Sequence, residues 1–431
     1  MTDPTPVLAR LAERRPVLID LGLDRMFAAL ERIGNPHHRL PPVFHVAGTN
    51  GKGSTVAYIR SILEAAGKSV HVFTSPHLVR FNERIVLAGR EIGDDDLIEV
   101  LTRCDREVGS KSLTFFEATT CAAFLAFAEN PADYLVLETG LGGRLDATNV
   151  VEKPLAALVA PVALDHQQFL GNSLEEIAAE KAGIFRPGAP AVVGPQTAGA
   201  MQTLAAAAER IGAPLFAYGS SWNVFLEHGR LVYQDEDGLS DLSPPRLFGM
   251  HQIPNAGLAI AGVRAAGLRL DDAILSAGIE NARWPARLQR LRQGPIIDYI
   301  RAHCEGAEAW LDGGHNPHAA RAVAAAFADI EERSPRPLVL ISGMQETKDQ
   351  QGFFAAFAGM ARAVFTVEAD HEGAASPEHV AAAADRAGVP AHACASVDEA
   401  VRRAVGDGEE PVRILICGSL YLAGEILAEN A

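Results

Sequence analysis

Apolar and polar positions alternate along the chain in a pattern typical of α/β proteins. Short apolar runs lead into glycine-rich turns, and alanine-rich segments with helical spacing follow. The first such unit begins with VFHVA at residues 43–47, turns at Gly48 and continues as a helix over residues 54–66. Further buried strands are predicted at residues 69–74, 134–138 and 155–164, and each run ends in a polar side chain or is followed directly by one. Ligands of open α/β sheets bind beyond such strand ends.

The apolar period changes to two at residues 222–233, where His228-Gly229 separates two runs and predicts an antiparallel hairpin. Helical spacing returns at residues 255–268. A second alternating series predicts strands at residues 310–312, 338–342, 364–368 and 412–417. The polar segment RLQRLRQGP has the character of a linker, so a boundary is expected near residues 288–296. The predicted fold is a P-loop, doubly wound, mainly parallel sheet domain over 1–290 and a smaller Rossmann-like domain over 291–431.

Length and composition agree with a folded protein of two domains. The 431 residues exceed what one core usually serves, and 48% hydrophobic and 21% charged residues are ordinary values. A net charge of -16 argues against extended nucleic-acid binding. Five scattered cysteines without a C-x-x-C motif indicate reduced thiols. Neither a signal peptide nor a membrane span is recognisable, so we expect a cytoplasmic monomer that acts on small molecules.

A phosphate-binding loop is the first chemical signal. GTNGKGS at residues 48–54 lies between a strand and a helix, where glycines let backbone N–H groups surround a phosphate and Lys52 can reach it. The loop departs from G-x-x-x-x-G-K-[ST] because Gly53 separates Lys52 from Ser54. Motors, switches, kinases and ligases all use such a loop, so it leaves the reaction open.

Polar residues at the ends of other strands give only weak evidence about which of these protein classes the loop belongs to. Glu138 closes the run YLVLE and could hold magnesium or be a solvated strand terminus. Asp165-His166 and Ser75-Pro76-His77 follow two further strands, and such residues are more often structural. By chemistry alone, Lys181 is a solvated lysine on a helix that ends near Gly183.

Several motifs together resemble one family. AGTNGKGST, TSPHLVRFNERI, ETGLGGRLDATN, LDHQQFLGNSLEEIAAEKAGIFRPG, HQIPNA and DGGHNPHA look like those of the folylpolyglutamate synthase and dihydrofolate synthase family, bifunctional bacterial type, within the Mur ligase superfamily. They occur in the family's order across residues 19 to 421. The resemblance implies an ATP-dependent ligase that adds L-glutamate to dihydropteroate, to reduced folates or to both, through an acyl phosphate.

The resemblance also implies roles for individual residues. The ATP-binding set is Thr49, Asn50, Gly51, Lys52, Gly53, Ser54, Asn255, Arg287 and Asp312. The magnesium ligands are Ser75, Glu138 and His166. Lys181 matches a lysine that such enzymes carry as a carbamate, and His315 is placed near the phosphate or the incoming glutamate. Lys52, Lys181 and His315 are the implied catalytic residues, and the C-terminal domain is expected to bind glutamate and to close over ATP.

Three segments match the pterin side of the family. They are Ile19-Asp20-Leu21, Thr114-Phe115-Phe116-Glu117 and Leu145-Asp146-Ala147. Phe115 and Phe116 fit a core equally well. The stretch ISGMQETKD departs from the family's G-x-x-x-D-K-D pattern, which leaves Lys348 and Asp349 without an assigned role.

Two rival functions share parts of this pattern. A Mur-type cell-wall ligase would have the same loop and lysine but usually an extra N-terminal domain, for which the 47 residues before Gly48 are too few. A P-loop nucleotide switch lacks support because no N-K-x-D guanine motif is found.

Overall fold

The computed structural model describes residues 3–13, 22–109 and 113–430. The chain forms two compact units: unit 1 contains Met1–Arg246 and Ile253–Arg283, and unit 2 contains Leu247–Gln252 and Trp284–Ala431. The predicted division after residue 290 therefore lies seven residues beyond the observed one at 283/284, and the short excursion 247–252 into unit 2 was not anticipated.

Unit 1 alternates strands and helices as the sequence predicts. Its strands are β1 (Val43–Ala47), β2 (Val70–Phe73), β3 (Ile85–Leu87), β4 (Arg90–Glu91), β5 (Tyr134–Glu138), β6 (Ala156–Val159), β7 (Ala191–Val193), β8 (Leu215–Ala217), β9 (Trp222–Glu227), β10 (Arg230–Asp235) and β11 (Gly238–Leu242). Its α-helices are α1 (Thr5–Glu13), α2 (Asp24–Arg32), α3 (Lys52–Ala65), α4 (Asp94–Val108), α5 (Phe115–Glu129), α6 (Gln167–Leu170), α7 (Leu174–Ala182), α8 (Ala198–Ile211), α9 (Gln252–Ala265) and α10 (Asp272–Asn281). Short 3-10 helices occupy Pro36–Arg39 and Phe81–Arg84.

The main sheet of unit 1 has eight strands in the order β4-β3-β2-β5-β1-β6-β7-β8. All neighbours from β2 to β8 are parallel, and β3 and β4 add antiparallel pairs at one edge. Helices cover both faces: α7 and α8 pack on Ala157 and Val159, whereas α9 places Gly262 against Leu158, which points the opposite way. The doubly wound parallel sheet is thereby confirmed.

A separate antiparallel sheet, β11-β10-β9, contains the predicted hairpin. His228 and Gly229 form its two-residue turn with φ of 50° and 78°, as a type I′ turn requires. The third strand, β11, was not predicted, because GLSDL alternates only weakly.

Unit 2 has a six-stranded sheet of order β12-β13-β17-β14-β15-β16. Its strands are β12 (Gln289–Arg290), β13 (Glu308–Leu311), β14 (Leu338–Ser342), β15 (Ala361–Thr366), β16 (Ala391–Ala393) and β17 (Arg413–Cys417). Its helices are α11 (Pro295–His303), α12 (Pro317–Arg333), α13 (Gln350–Ala355), α14 (Pro377–Arg386), α15 (Val397–Val405) and α16 (Leu420–Asn430). Only β12 is antiparallel to its neighbour. The smaller Rossmann-like domain is confirmed.

The segment predicted as a linker is part of this second sheet. Residues 289 and 290 form β12 against β13, and Leu288 and Leu291 are only 2% and 4% exposed. The linker interpretation of this segment was wrong, because residues 289 and 290 pair with β13 and both flanking leucines are buried.

None of the helices in the described ranges is long and apolar enough to cross a membrane.

Candidate active site

Four adjacent parallel strands of unit 1 end at one edge of the sheet. They are β2, β5, β1 and β6, in that order. Ser75 follows β2, Glu138 closes β5, the phosphate loop follows β1, and His166 lies in the segment after β6. The structure therefore brings the predicted phosphate loop and the three predicted magnesium ligands to the same sheet edge.

The phosphate loop is anchored to the segment that follows β6. The N–H groups of Thr49 and Asn50 donate to the Pro161 carbonyl at 2.9 and 3.2 Å. The Thr49 hydroxyl donates to the Ala163 carbonyl at 3.1 Å and accepts from the Ala163 N–H at 3.0 Å. These bonds fix the loop in place, and they engage two of the N–H groups that the sequence assigned to ATP.

The remaining loop N–H groups belong to the start of α3. The Thr55 N–H donates to the Gly51 carbonyl at 2.9 Å, so the N–H groups of Lys52, Gly53 and Ser54 lie at the helix N-terminus. Such groups, together with the helix dipole, bind phosphate. The loop fits the predicted ATP phosphates at these positions.

The side chain of Asn255 packs closely against Gly51 of the phosphate loop. Gly51 adopts φ of 85°, and a Cβ placed there would lie 2.5 Å from the Asn255 Oδ1. Asn255 on α9 is 4% exposed. The predicted nucleotide contact and the phosphate loop therefore touch within unit 1.

Two lysines share one carbonyl oxygen of the loop. The Lys181 Nζ donates to the Gly48 carbonyl at 2.9 Å, and the Lys52 Nζ approaches the same oxygen at 3.2 Å and the Thr49 carbonyl at 3.4 Å. Lys181 is 3% exposed. Burial and the nearby Lys52 charge lower the pKa of Lys181 from 10.5 to about 7, although Asp165, Asp146 and Glu180 oppose the shift. The solvated reading of Lys181 is wrong.

The loop after β5 holds the end of α7, which carries Lys181. A Cβ at Gly143 would lie 2.9 Å from the Lys181 carbonyl oxygen and 3.0 Å from its Cα. The Asn149 amide donates to the carbonyls of Arg144 and Gly183 at 2.9 and 3.0 Å. This close approach fixes the backbone of Lys181. Asn149 was not singled out from the sequence, because its contact with Gly183, 34 residues away, appears only in the folded chain.

The predicted magnesium ligands differ in burial. Glu138 is 4% exposed, Ser75 is half-buried, and the side chain of His166 is 43% exposed. The His166 N–H donates to the Asp165 Oδ1 at 2.9 Å. Within the described ranges, no group of three or more His, Cys, Asp or Glu side chains could hold a metal ion. A carboxylate and a hydroxyl supply hard oxygen ligands that suit magnesium, which commonly completes its shell with water and substrate phosphates.

The segment Thr114 to Glu117 begins α5. Its ends form a capping box, because the Glu117 N–H donates to the Thr114 Oγ1 at 3.2 Å and the Thr114 N–H donates to the Glu117 Oε2 at 2.7 Å. Arg25 pairs with Glu117 at 3.0 Å. Phe115 and Phe116 are half-buried and pack on the core around α5, so they fit both interpretations left open by the sequence. Ile19, Asp20 and Leu21 lie outside the described residues.

Leu145, Asp146 and Ala147 lie in the loop after β5. Asp146 is 3% exposed, and its Oδ2 accepts from the Leu141 N–H at 2.7 Å. Its Oδ1 accepts from the Thr148 N–H at 3.0 Å and the Thr148 hydroxyl at 2.5 Å. Burial raises the pKa of Asp146 against these hydrogen bonds. The carboxylate therefore shapes its own loop, in addition to any contact with a pterin.

Unit 2 carries the other two predicted nucleotide residues. The Asp312 Oδ2 accepts from the Leu288 N–H at 2.8 Å, and its Oδ1 accepts from the Gly314 N–H at 2.7 Å. Ala286 and Leu288 have φ of 53° and 43°, a region that costs energy for residues with a side chain. Arg287 lies between them and donates to the Ala286 carbonyl at 2.9 Å. The Asp312 carboxylate therefore stabilises the strained turn that contains Arg287.

His251 was not selected from the sequence, although it belongs to the quoted HQIPNA motif. Burial lowers the pKa of His251, Asp312 acts to raise it, and Arg287 and His318 lower it further. Its Nε2 lies 3.1 Å from the Gln252 amide nitrogen. A neutral imidazole therefore stands beside the predicted nucleotide contacts of unit 2.

His315 follows β13 and precedes α12. Its Nδ1 lies 3.0 Å from the Gly313 carbonyl, and because a carbonyl can only accept, the ring proton is on Nδ1. Asp349 caps α13, where its Oδ1 accepts from the Gly352 N–H at 2.8 Å. Asp349 therefore has a structural role, and the structure assigns no chemical role to Lys348.

Comparisons with known proteins agree with this geometry. Residues 46–263 match the Mur ligase middle domain, and residues 297–420 match the Mur ligase glutamate ligase domain. The dihydrofolate synthase/folylpolyglutamate synthase of Escherichia coli (strain K12) is 34% identical over 412 residues, which cover 95% of this chain and 91% of that protein. The chain belongs to the dihydrofolate synthase/folylpolyglutamate synthase family.

Solved structures of this family have the same fold. Escherichia coli FolC in complex with DHPP and ADP is 32% identical, with a TM-score of 0.87 and coverage of 99% of this chain and 97% of that chain. The bifunctional folylpolyglutamate synthase/dihydrofolate synthase from Yersinia pestis, complexed with AMPPNP and a Mn ion, is 31% identical, with a TM-score of 0.86 and coverage of 99% and 98%. Family membership thus extends over both units.

Proposed function

We propose that this chain is an ATP-dependent, ADP-forming ligase that joins L-glutamate to dihydropteroate and to reduced folates. The observation that carries the proposal is the buried Lys181 beside the phosphate loop, on the same carbonyl as Lys52. A nucleotide switch needs only one lysine in its loop. Relatives named for both synthase activities, and a match to a glutamate ligase domain, support the acceptor and the amino acid.

The first step is transfer of the γ-phosphoryl group of ATP to the acceptor carboxylate. A carboxylate oxygen attacks the γ-phosphorus, the bond to the bridging oxygen breaks, and ADP leaves with that electron pair. Lys52 and the N–H groups at the start of α3 stabilise the charge that spreads over the transferred group. Magnesium, held by Ser75, Glu138 and His166, would supply further charge neutralisation when bound.

The second step is amide formation. The amine of L-glutamate attacks the acyl carbon, phosphate leaves from the tetrahedral intermediate, and the amine loses a proton. His315 is suited to accept that proton, because its Nδ1–H is engaged with the Gly313 carbonyl and its Nε2 carries the lone pair. We assign glutamate binding to unit 2 because residues 297–420 match the glutamate ligase domain. Arg287 and Asp312 are assigned to the nucleotide.

We further propose that Lys181 works as a carbamate. Its neutral amine adds to CO2, a C–N bond forms, and one proton is released. A pKa near 7 supports this step because the amine is then substantially neutral at physiological pH. The product carries a negative charge where the folded chain otherwise buries a positive one, and this charge would help to position a second metal ion.

The remaining assignments concern the acceptor and the cellular context. We assign the pterin side to the loop at Leu145–Ala147 and to the start of α5 at Thr114–Glu117. The half-buried rings of Phe115 and Phe116 can stack on a flat heterocycle. The net charge of -16 supports small-molecule substrates over nucleic acid. We propose that the chain acts as a monomer in the cytoplasm, so light scattering should give about the mass of one 45.8 kDa chain.

The decisive assay supplies ATP, magnesium and labelled L-glutamate with either dihydropteroate or a reduced folate. Label in both products is the expected result. Absence of label from both would overturn the folate assignment. ATP hydrolysis indifferent to acceptor and glutamate would favour a switch, and label in a UDP-linked cell-wall precursor would favour a Mur-type ligase.

A further inference from the structure

His77 has a fixed protonation pattern that its sequence context does not reveal. The Arg84 Nε donates to the His77 Nδ1 at 2.9 Å. Because an arginine guanidinium can only donate, Nδ1 must be the unprotonated nitrogen of the ring. The proton of the neutral imidazole is therefore on Nε2, which makes Nε2 a hydrogen-bond donor.

The Nε2–H group is available to a ligand. Among the described residues none accepts a hydrogen bond from it, and the His77 side chain is only half-buried. The donor is also held rigidly. The His77 ring lies 5.5 Å from the ring of Phe81, which meets Phe115 edge-on at 6.0 Å, and Arg84 stacks over Phe81 at 5.0 Å. The imidazole is thus part of an aromatic cluster that includes one residue of the predicted pterin segment.

His77 lies at the edge of the sheet where the carboxylate of the acceptor is expected to react. His77 lies two residues after Ser75, beyond the end of β2. The neighbouring strand β5 is parallel to β2 and ends at Glu138. Atoms that react must approach to about 3–3.5 Å. If the γ-phosphate lies at this edge, the acceptor carboxylate must reach the same place.

We infer that His77 is a substrate-binding residue that donates its Nε2–H to an oxygen of the acceptor carboxylate undergoing activation. A neutral donor orients the carboxylate without neutralising the charge that makes it a nucleophile. Arg84 is a positioning residue, because its part in this contact is to hold the His77 ring with Nε2–H as the donor. This inference rests on the proposed ligase function and adds a residue to its acceptor site.

The test compares His77→Phe, which keeps a flat ring but loses the donor, with His77→Gln, whose amide can both accept from Arg84 and donate onward. The acceptors are dihydropteroate and a reduced folate, each of which reacts through a carboxylate. We expect His77→Phe to lower kcat/KM about 10- to 100-fold for both acceptors, as loss of a hydrogen bond to a charged group does. His77→Gln should stay within about threefold of the wild type. ADP affinity and melting temperature should be unchanged in both variants.

His38→Phe is the matched control, because His38 is an exposed histidine in the segment that precedes β1, at the opposite end of that strand from the phosphate loop. It should ligate at the wild-type rate. The inference is overturned if His77→Phe ligates like the wild type, if His77→Gln is as impaired as His77→Phe, or if only one acceptor is affected. A parallel loss of ADP affinity or stability would likewise show a structural role. Failure of the wild type to ligate either acceptor would instead overturn the proposed function.

Discussion

The buried amine of Lys181 should destabilise the folded chain by an amount that depends on pH, and Lys181→Met should remove that dependence. Methionine has a similar length and suits a buried site. In the unfolded chain the lysine keeps its ordinary pKa of 10.5, whereas the pKa in the folded protein is about 7. Between these values the unfolded chain binds one more proton at this position, so the unfolding free energy rises with pH. Below pH 7 the lysine is protonated in both the folded and the unfolded chain, so the folded protein bears the full free-energy cost of burying the charged amine.

The magnitude follows from the size of the pKa shift. Each pH unit within this interval contributes about 1.4 kcal/mol. Because the folded amine is already half deprotonated at pH 7, the wild type should gain about 2 kcal/mol of unfolding free energy relative to Lys181→Met from pH 7 to 9. From pH 6 to 7 the difference between the two proteins should change little. At every pH the variant should lose ligase activity, since it cannot form a carbamate.

Urea unfolding at pH 6, 7, 8 and 9 measures this difference. The buffers must be free of CO2, because carbamylation would replace the amine in the wild type. Lys153→Met is the control, since Lys153 is exposed and lies before β6, away from the phosphate loop. The difference in unfolding free energy between Lys153→Met and the wild type should stay constant from pH 6 to 9. A wild-type minus Lys181→Met difference that does not change between pH 7 and 9 would refute the buried-amine reasoning.

Three further substitutions test other features. Gly51→Ala puts a Cβ 2.5 Å from the Asn255 Oδ1 at a φ of 85°, so calorimetric titration should show ADP affinity reduced about tenfold, and unchanged affinity would contradict the loop assignment. Glu308→Gln removes the charge that pairs at 2.7 Å with Arg413, whose side chain is 1% exposed. Urea unfolding should show that the unfolding free energy falls by about 3 kcal/mol. An unaltered unfolding midpoint would contradict a stabilising role for this buried ion pair. His228→Asn suits a turn position with φ of 50° and should stabilise the chain by about 0.5 kcal/mol in thermal unfolding, whereas a lower melting temperature would be inconsistent with that turn.

The sequence predicted strands best where a continuous apolar run met a strong breaker. β1 and β5 begin and end at the predicted residues, because VFHVA is followed by Gly48 and the apolar run YLVL stops at the Glu138 carboxylate. β6 is shorter than predicted and ends at Val159, since the apolar residues beyond it form the loop to which Thr49 binds. β12 was mistaken for a linker because its burial depends on a partner strand distant in sequence.

For the candidate site, motifs predicted which residues matter but not how they interact. No local pattern indicates that Lys181 and Lys52 would meet on the carbonyl of Gly48, because Lys181 lies on a helix far along the chain. The same applies to the contact of Asn149 with Gly183, by which the loop after β5 is joined to the residue that follows α7. Such contacts depend on the packing of several elements.

The amino-acid sequence by itself determined the α/β class, the order of most elements, the phosphate loop and the family. These properties depend on local periodicity, turn chemistry and motifs, which are formed by residues close together along the chain. The tertiary structure alone decided the burial of Lys181 and hence its depressed pKa, the donor state of His77 fixed by Arg84, and the strained turn held by Asp312. Solvent exclusion and hydrogen-bond direction arise only when distant segments are brought together, so these properties could not be obtained from the sequence.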